Sequence, residues 1–138
     1  MSRHYGGLID MQARCACGSN KNFTDCCVCY IEGNTPAPSS VALMRSRYVA
    51  YTLGCNDYLL ATWHPSTRPA PLDTADIVKT KWLGLEVKRH EYNLQEPDLA
   101  VVEFVARYKI GGRAYRLHEV SRFVREGDHW FYVDGDIL

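Results

Sequence analysis

The sequence lacks any bias of charge: sixteen Lys and Arg side chains balance sixteen Asp and Glu. Residues 1–35 alone set Arg3, Arg14 and Lys21 against Asp10, Asp25 and Glu32. A protein that tracks a nucleic-acid duplex carries a basic excess for phosphate neutralisation, so nucleic acid is a disfavoured partner. No run approaches the ~18 consecutive apolar residues that cross a bilayer, and the first dozen residues have no apolar centre of the signal-peptide kind. The expectation is a soluble cytoplasmic protein with no membrane role. A glycine-rich phosphate loop is also missing, because Gly111-Gly112 falls between strand-like segments where a hairpin explains it. His90, His118 and His129 have no metal-ligand spacing, no nucleophile stands in recognisable order with a base, and no internal repeat is visible. Cysteine is scarce over most of the chain, since everything after Cys29 contains only Cys55.

What is present is a single domain's worth of chain, 138 residues with 46% hydrophobic and 12% aromatic content. That suffices for one core and excludes wholesale disorder or two catalytic domains. Ser39 or Ser40 can cap a helix whose apolar side runs Val41, Met44, Tyr48 and Tyr51, with Gly54 at the C-cap position. Asn56 can cap a second helix, 57–64, that Pro65 stops, and residues 73–79 suit a short third one. Beyond them the period falls to two. Leu83, Leu85 and Val87 alternate with Gly84, Glu86 and Lys88, and segments 101–108, 115–124 and 130–133 supply three more strands. Helices followed by an antiparallel meander make an α+β fold, in which the helices cover one face of the sheet.

The other five cysteines, Cys15, Cys17, Cys26, Cys27 and Cys29, fall within fifteen residues. A disulfide scaffold would spread its cysteines to staple distant segments, and a reducing compartment favours metal ligation for such a cluster. Cys15-x-Cys17, eight intervening residues, then Cys26-Cys27 offers four soft thiolates suited to tetrahedral Zn2+. Four protein ligands close the coordination sphere, which makes the site structural. Cys29 is an alternative to Cys27 as the fourth ligand. A loop this short has almost no core of its own, so metal binding would supply most of its folding free energy, on the order of 10 kcal/mol in comparable zinc peptides.

The segment from Cys15 to Cys27 resembles the SEC-C motif, the small zinc-binding element of the SecA preprotein translocase and many bacterial proteins. The resemblance selects Cys15, Cys17, Cys26 and Cys27 as ligands, with Ala16, Asn20 and Phe23 as departures that remove none of them. Further along, Leu43 to Tyr51, Asp57 to Ser66, Trp82 to Leu85, Glu103 to Tyr108, Glu119 to Phe123 and Trp130 to Gly135 are similar to the YchJ family of bacterial proteins. That resemblance implies an N-terminal extension over 1–14, a zinc knuckle over 15–30 and an NTF2-like domain over 41–138, a curled antiparallel sheet wrapped on helices; the stretch 31–40 between them, rich in Gly, Asn, Thr, Pro and Ser, reads as a linker from its composition. The resemblance also implies a cavity at the wider end of the sheet and, as in many NTF2-like relatives, a homodimer through the open sheet face.

The polar residues expected in such a cavity are Arg47 (or Arg45), His64, Glu103, Arg107, Glu119 and Ser121. Glu103 and Arg107 share a strand face with Val101 and Val105, and Glu119 and Ser121 share one with Leu117 and Phe123. If these faces point inward they could bind a small anionic ligand and move protons, or form a buried ion-pair network that only fixes packing. His64 needs an orienting carboxylate, Asp134 or Glu119, to act as a base, and otherwise reads as a helix C-cap. Trp63, Trp82 and Trp130 are expected to pack in the core. Two functions follow: a protein-interaction module working through its zinc knuckle, and a binding protein or enzyme using the cavity.

Overall fold

The computed structural model describes residues 14–19, 21, 26–32, 35–69 and 80–138. Its elements in chain order are α1 (Val28–Ile31), α2 (Ser40–Leu53), α3 (Asn56–Ala61), β1 (Lys81–Asn93), β2 (Glu96–Ile110), β3 (Arg113–Glu126) and β4 (His129–Ile137). The helix expected over 73–79 and the extension before Arg14 lie outside the described residues.

Helix α2 begins and ends where its sequence says it should. Ser39 sits in extended conformation and its side chain accepts a hydrogen bond from the Ala42 N–H at 3.1 Å, which satisfies one of the first turn's orphan donors. Gly54 closes the helix at φ 71°, donating to the Ala50 and Tyr51 carbonyls. Apart from Gly54 and its chain neighbours, no atom of the described residues lies within 4 Å of where a β-carbon on Gly54 would stand. Gly54→Ala therefore carries only the left-handed backbone penalty, and a loss of about 1 kcal/mol in urea unfolding is expected.

Helix α3 is shorter than its sequence suggests, ending at Ala61 rather than His64. The reason is capture by the sheet. Tyr132 N–H donates to the Thr62 carbonyl at 2.9 Å, His64 N–H donates to the Tyr132 carbonyl at 2.8 Å, and Trp63 forms a parallel bridge with Tyr132. The chain leaving α3 thereby shields the edge of β4.

The four strands form one antiparallel sheet in the order β1-β2-β3-β4. Gly111 and Gly112, both at positive φ (57° and 78°), make the two-residue turn between β2 and β3. The strands outrun the apolar segments that announce them, because charged side chains on the open face keep pairing across strands beyond the hydrophobic stretch. Register shifts at Trp82/Gly84, Val87/Arg89 and Arg122/Phe123 insert bulges, which sharpen the sheet's twist and let it wrap around α2. Leu43, Met44, Tyr48, Val49 and Ala50 of α2 are buried in one core with Val102, Phe104, Ala106 and Phe123, and Leu59 joins them from α3. No helix among the described residues is long and apolar enough to cross a membrane.

Candidate metal centre and ligand cavity

Cys15, Cys17, Cys26 and Cys27 are all buried, and their sulfur atoms lie within 4.8 Å of one another. The Cys17 and Cys26 sulfurs are 3.6 Å apart, those of Cys26 and Cys27 3.8 Å. For bonds of about 2.3 Å to sulfur, a tetrahedral ion spaces its ligands about 3.8 Å apart, so the group fits a metal. Gly18, at φ 80°, folds the loop, and the Cys15 N–H donates to the Lys21 carbonyl at 2.7 Å. Ser19 Oγ lies 3.2 Å from the Cys26 sulfur. Cys29 is exposed and stands outside the group.

The knuckle is seated on the domain rather than hung from it. Arg45 of α2 donates to the Cys17 carbonyl, and a β-carbon on Gly18 would stand 3.1 Å from the Leu85 carbonyl oxygen of β1. The four cysteines belong to the same buried cluster as Leu43 and Phe104. Their thiols hydrogen-bond among themselves. A side-chain bond from Cys15 holds the Cys17 thiol below its ordinary range, while the same side-chain contact pushes Cys15 up and a side-chain bond with Cys15 pushes Cys27 up. Packed sulfurs cannot all ionise without a cation, and a divalent ion removes that conflict.

A second feature lies between α2 and the sheet: a cavity of about 290 Å3. Met44, Arg47, Tyr48 and Tyr51 of α2 form one wall and Trp63 another. The sheet supplies Trp82, Phe104, Ala106, Leu117, Glu119, Ser121, Phe123 and Tyr132. Arg47 is only 6% exposed. Its Nη1 donates to the Leu59 carbonyl at 2.8 Å and to Thr62 Oγ1 at 2.7 Å, satisfying the C-terminal end of α3. Its guanidinium lies over two rings, 5.1 Å from the centre of Trp63 and 4.8 Å from that of Tyr132. Among the described residues it has no ion-pair partner, and burial pulls its pKa below the ordinary arginine value.

Glu119 accepts a hydrogen bond from Ser121 Oγ and a long one, 3.4 Å, from the Tyr132 hydroxyl, which burial keeps protonated. Its carboxylate folds over Gly135: a β-carbon there would stand 2.5 Å from Glu119 Oε2. Gly135→Ala is expected to push the carboxylate off Ser121, leaving a buried hydroxyl unpaired at about 1–2 kcal/mol in urea unfolding. The indole nitrogens of Trp63 and Trp82 are buried and have no hydrogen-bond partner among the described residues. Trp82 meets Tyr48, Tyr51 and Tyr108 ring to ring, and Trp63 meets Tyr132 edge-on.

The structure thus gathers Arg47, Glu119 and Ser121 at the cavity and puts the other expected residues elsewhere. Phe104 pairs with Glu119 across β2 and β3, so the even-numbered face of β2 is the one turned inward. Glu103 and Arg107 therefore sit on the open face. Glu103 takes hydrogen bonds at 2.7 Å from Arg89 and from the His118 ring, and Arg107 lies 4.0 Å from Glu86. His64, past the end of α3, is held at its two ring nitrogens by Ser66 (2.7 Å) and Glu126 (2.9 Å), neither Asp134 nor Glu119. Arg45 faces the knuckle. Trp63 and Trp82 were expected simply as core and line the cavity instead, together with Tyr132, while Trp130 is buried in the core. A lone small residue, Ala106, inside a bulky apolar run was the available sign of space in front of them.

The bond with His118, and then that with Arg89, holds the Glu103 carboxyl below its ordinary range. A carboxylate with a depressed folded pKa stabilises the fold above its unfolded value of about 4.3 and stops doing so as pH falls through the folded one. The stability difference between wild type and Glu103→Gln is expected to be full at pH 6 and to shrink toward zero below about pH 4, read from urea midpoints.

Comparison with known proteins adds the lineage. A family model described as "YchJ, middle NTF2-like domain" matches residues 39–135. The chain belongs to the YchJ family. Within that YchJ span lie all the wall residues of the cavity, whereas the cysteine cluster precedes it. A UPF0225 protein of Chromobacterium violaceum is 54% identical over 126 residues, covering 90% of this chain and 93% of the relative. One from Polaromonas naphthalenivorans is 59% identical over 114 residues, covering 83% and 81%. A SEC-C motif containing protein from Rhodopseudomonas palustris has a solved structure similar to this one, with a TM-score of 0.80 and 32% identity over 91% of this chain and 99% of the other. A second, from Psychrobacter arcticus, gives a TM-score of 0.75 at 27% identity over 93% and 84%. The fold of this YchJ-family chain is accordingly α+β and NTF2-like, with an N-terminal cysteine cluster able to hold a metal ion.

Proposed function

We propose that the protein is a small-molecule-binding domain: the cysteine cluster holds a structural Zn2+, and the cavity receives a small anion at Arg47. One observation carries this reading. A guanidinium that is almost wholly buried, faces a cavity and has no carboxylate in ion-pair contact among the described residues is expensive to maintain for packing alone, since apolar side chains of similar volume are commonly as stable or more so. An arriving anion supplies the missing counter-charge. Four thiolates suit zinc and leave no open coordination position, so the ion would order the knuckle and the face of α2 that meets it, without taking part in chemistry.

The test is a panel of small monoanions added to isotope-labelled, metal-loaded protein. At least one is expected to shift the indole N–H signals of Trp63 and Trp82, and the shift should vanish in Arg47→Gln. Indole signals that stay fixed across the panel would sink the proposal.

Docking of a protein partner on the knuckle is the second reading, supported by the exposed outer residues Ala16 and Lys21 beside buried thiols. A Lys21→Glu variant that keeps its metal yet loses a captured partner would favour it. Unchanged capture would remove the knuckle's outer face from consideration.

A further inference from the structure

The cavity holds one cation and one anion that form no direct ion pair with each other, although Glu119 acts on Arg47 through space. Both hydrogen bonds from Arg47 leave from Nη1, so the Nε and Nη2 N–H groups, which together match the two oxygens of a carboxylate, have no protein acceptor among the described residues. Tyr132 touches both charges. Arg47 lies over its ring face at 4.8 Å, and Glu119 meets its hydroxyl at 3.4 Å. The intervening walls are flat and apolar: Tyr48, Trp82, Phe104, Phe123.

Each feature narrows the ligand. A volume of about 290 Å3 is at the small end of the range of about 300–1,000 Å3 for ligand pockets, which admits one ring and excludes a nucleotide. A dianion such as phosphate would meet a single arginine and be repelled by Glu119, so a monoanion is preferred. Glu119, in turn, has acceptor capacity beyond Ser121 and Tyr132 and calls for a donor. A planar body between aromatic walls, carrying a single acid and a hydrogen-bond donor, satisfies all of them.

Resting on the anion-site reading above, we infer that the cavity takes an aromatic monocarboxylate bearing a hydroxyl or amino donor on its ring. The carboxylate bridges Nε and Nη2 of Arg47, and the donor binds Glu119.

The experiment titrates the full metal-loaded chain with 4-hydroxybenzoate, benzoate, phenol and inorganic phosphate, following the indole N–H signals of Trp63 and Trp82. 4-Hydroxybenzoate is expected to bind about tenfold more tightly than benzoate, the difference of one charge-assisted hydrogen bond, and phenol and phosphate to bind more weakly still. In Glu119→Gln, which keeps the side-chain shape, the preference for the hydroxylated acid should fall to about threefold or less while benzoate binds as before. Arg47→Lys, which keeps the charge and loses the fork, should weaken both acids at least tenfold. Equal binding of benzoate and 4-hydroxybenzoate, or tightest binding of phosphate, overturns the ligand class and leaves the anion site standing. A preference unchanged in Glu119→Gln overturns the role given to that carboxylate. Absence of binding by all four probes overturns the ligand class, and the anion site is then judged on the wider monoanion panel.

Discussion

Cys17→Ser is expected to empty the cysteine cluster of metal and to destabilise the protein by about 3–5 kcal/mol. Cys17 is fully buried and contacts Cys26 at 3.6 Å, so its sulfur is central to the group. A serine oxygen is shorter, harder and rarely ionised, and leaves three thiols around an ion that needs four ligands. In isolated zinc peptides the metal contributes about 10–16 kcal/mol, because nothing else holds the fold. Here the figure must be smaller, since the sheet core of Val102, Phe104 and Phe123 does not depend on the cluster. What does depend on it is the seating of the knuckle through Arg45 on Cys17, and with it the burial of Ile31 and Leu43 in the same core. Metal content by mass spectrometry and unfolding in urea check both halves of the prediction. Cys29→Ser is the control and should keep one ion per chain with stability within about 0.5 kcal/mol of wild type. If Cys29→Ser loses the ion while Cys27→Ser keeps it, the fourth ligand has been misassigned.

The elements whose ends are fixed by local chemistry were legible in the sequence. Ser39 and Gly54 bracket α2 because a cap and a left-handed glycine act through their nearest neighbours. Gly111-Gly112 marks a hairpin for the same reason. A cysteine cluster was legible because its spacing is short and metal ligation is a local demand, whereas the choice of Cys27 over Cys29 rested on the SEC-C resemblance and not on spacing. The inward face of β2 was not. Val101, Glu103, Val105 and Arg107 on one side compete with Val102, Phe104 and Ala106 on the other, and both sets are apolar enough to be core. Only the register with β3, which sets Phe104 against Glu119, decides between them, and register is a property of two strands. Val105 shows why the sequence misleads: it is fully buried on the open face, flanked across the strands by Glu86 and His118. The stems of the long polar side chains around it give cover without core. Leu117, Glu119, Ser121 and Phe123 were grouped correctly on one face, since period two settles who travels together even when it does not settle where. The end of α3 was lost for a similar reason, because a distant strand rather than a capping residue stops it.

Ala106→Leu is expected to stabilise the protein by about 1–2 kcal/mol and to block the cavity. Ala106 is 1% exposed, lies in the middle of β2 opposite Leu85 and Leu117, and points into the space between the sheet and α2. Leucine adds three carbon atoms. At about 0.8 kcal/mol per buried methylene their transfer gives at most about 2.4 kcal/mol, against about 1–3 kcal/mol when an insertion forces a tight core apart. The two terms are close, so the available room decides the sign. A cavity of about 290 Å3 holds the added atoms without displacing Tyr48 or Trp82, and burial wins. The same atoms occupy the volume a ring would need, so 4-hydroxybenzoate affinity should fall at least tenfold while Arg47 and Glu119 stay in place. Raised stability together with lost binding is the pattern of a space kept open at the expense of packing, as binding sites commonly are. A melting temperature that drops, with shifted signals for Tyr48 and Trp82, would mean instead that the walls close on Ala106 and that no room exists there for a guest.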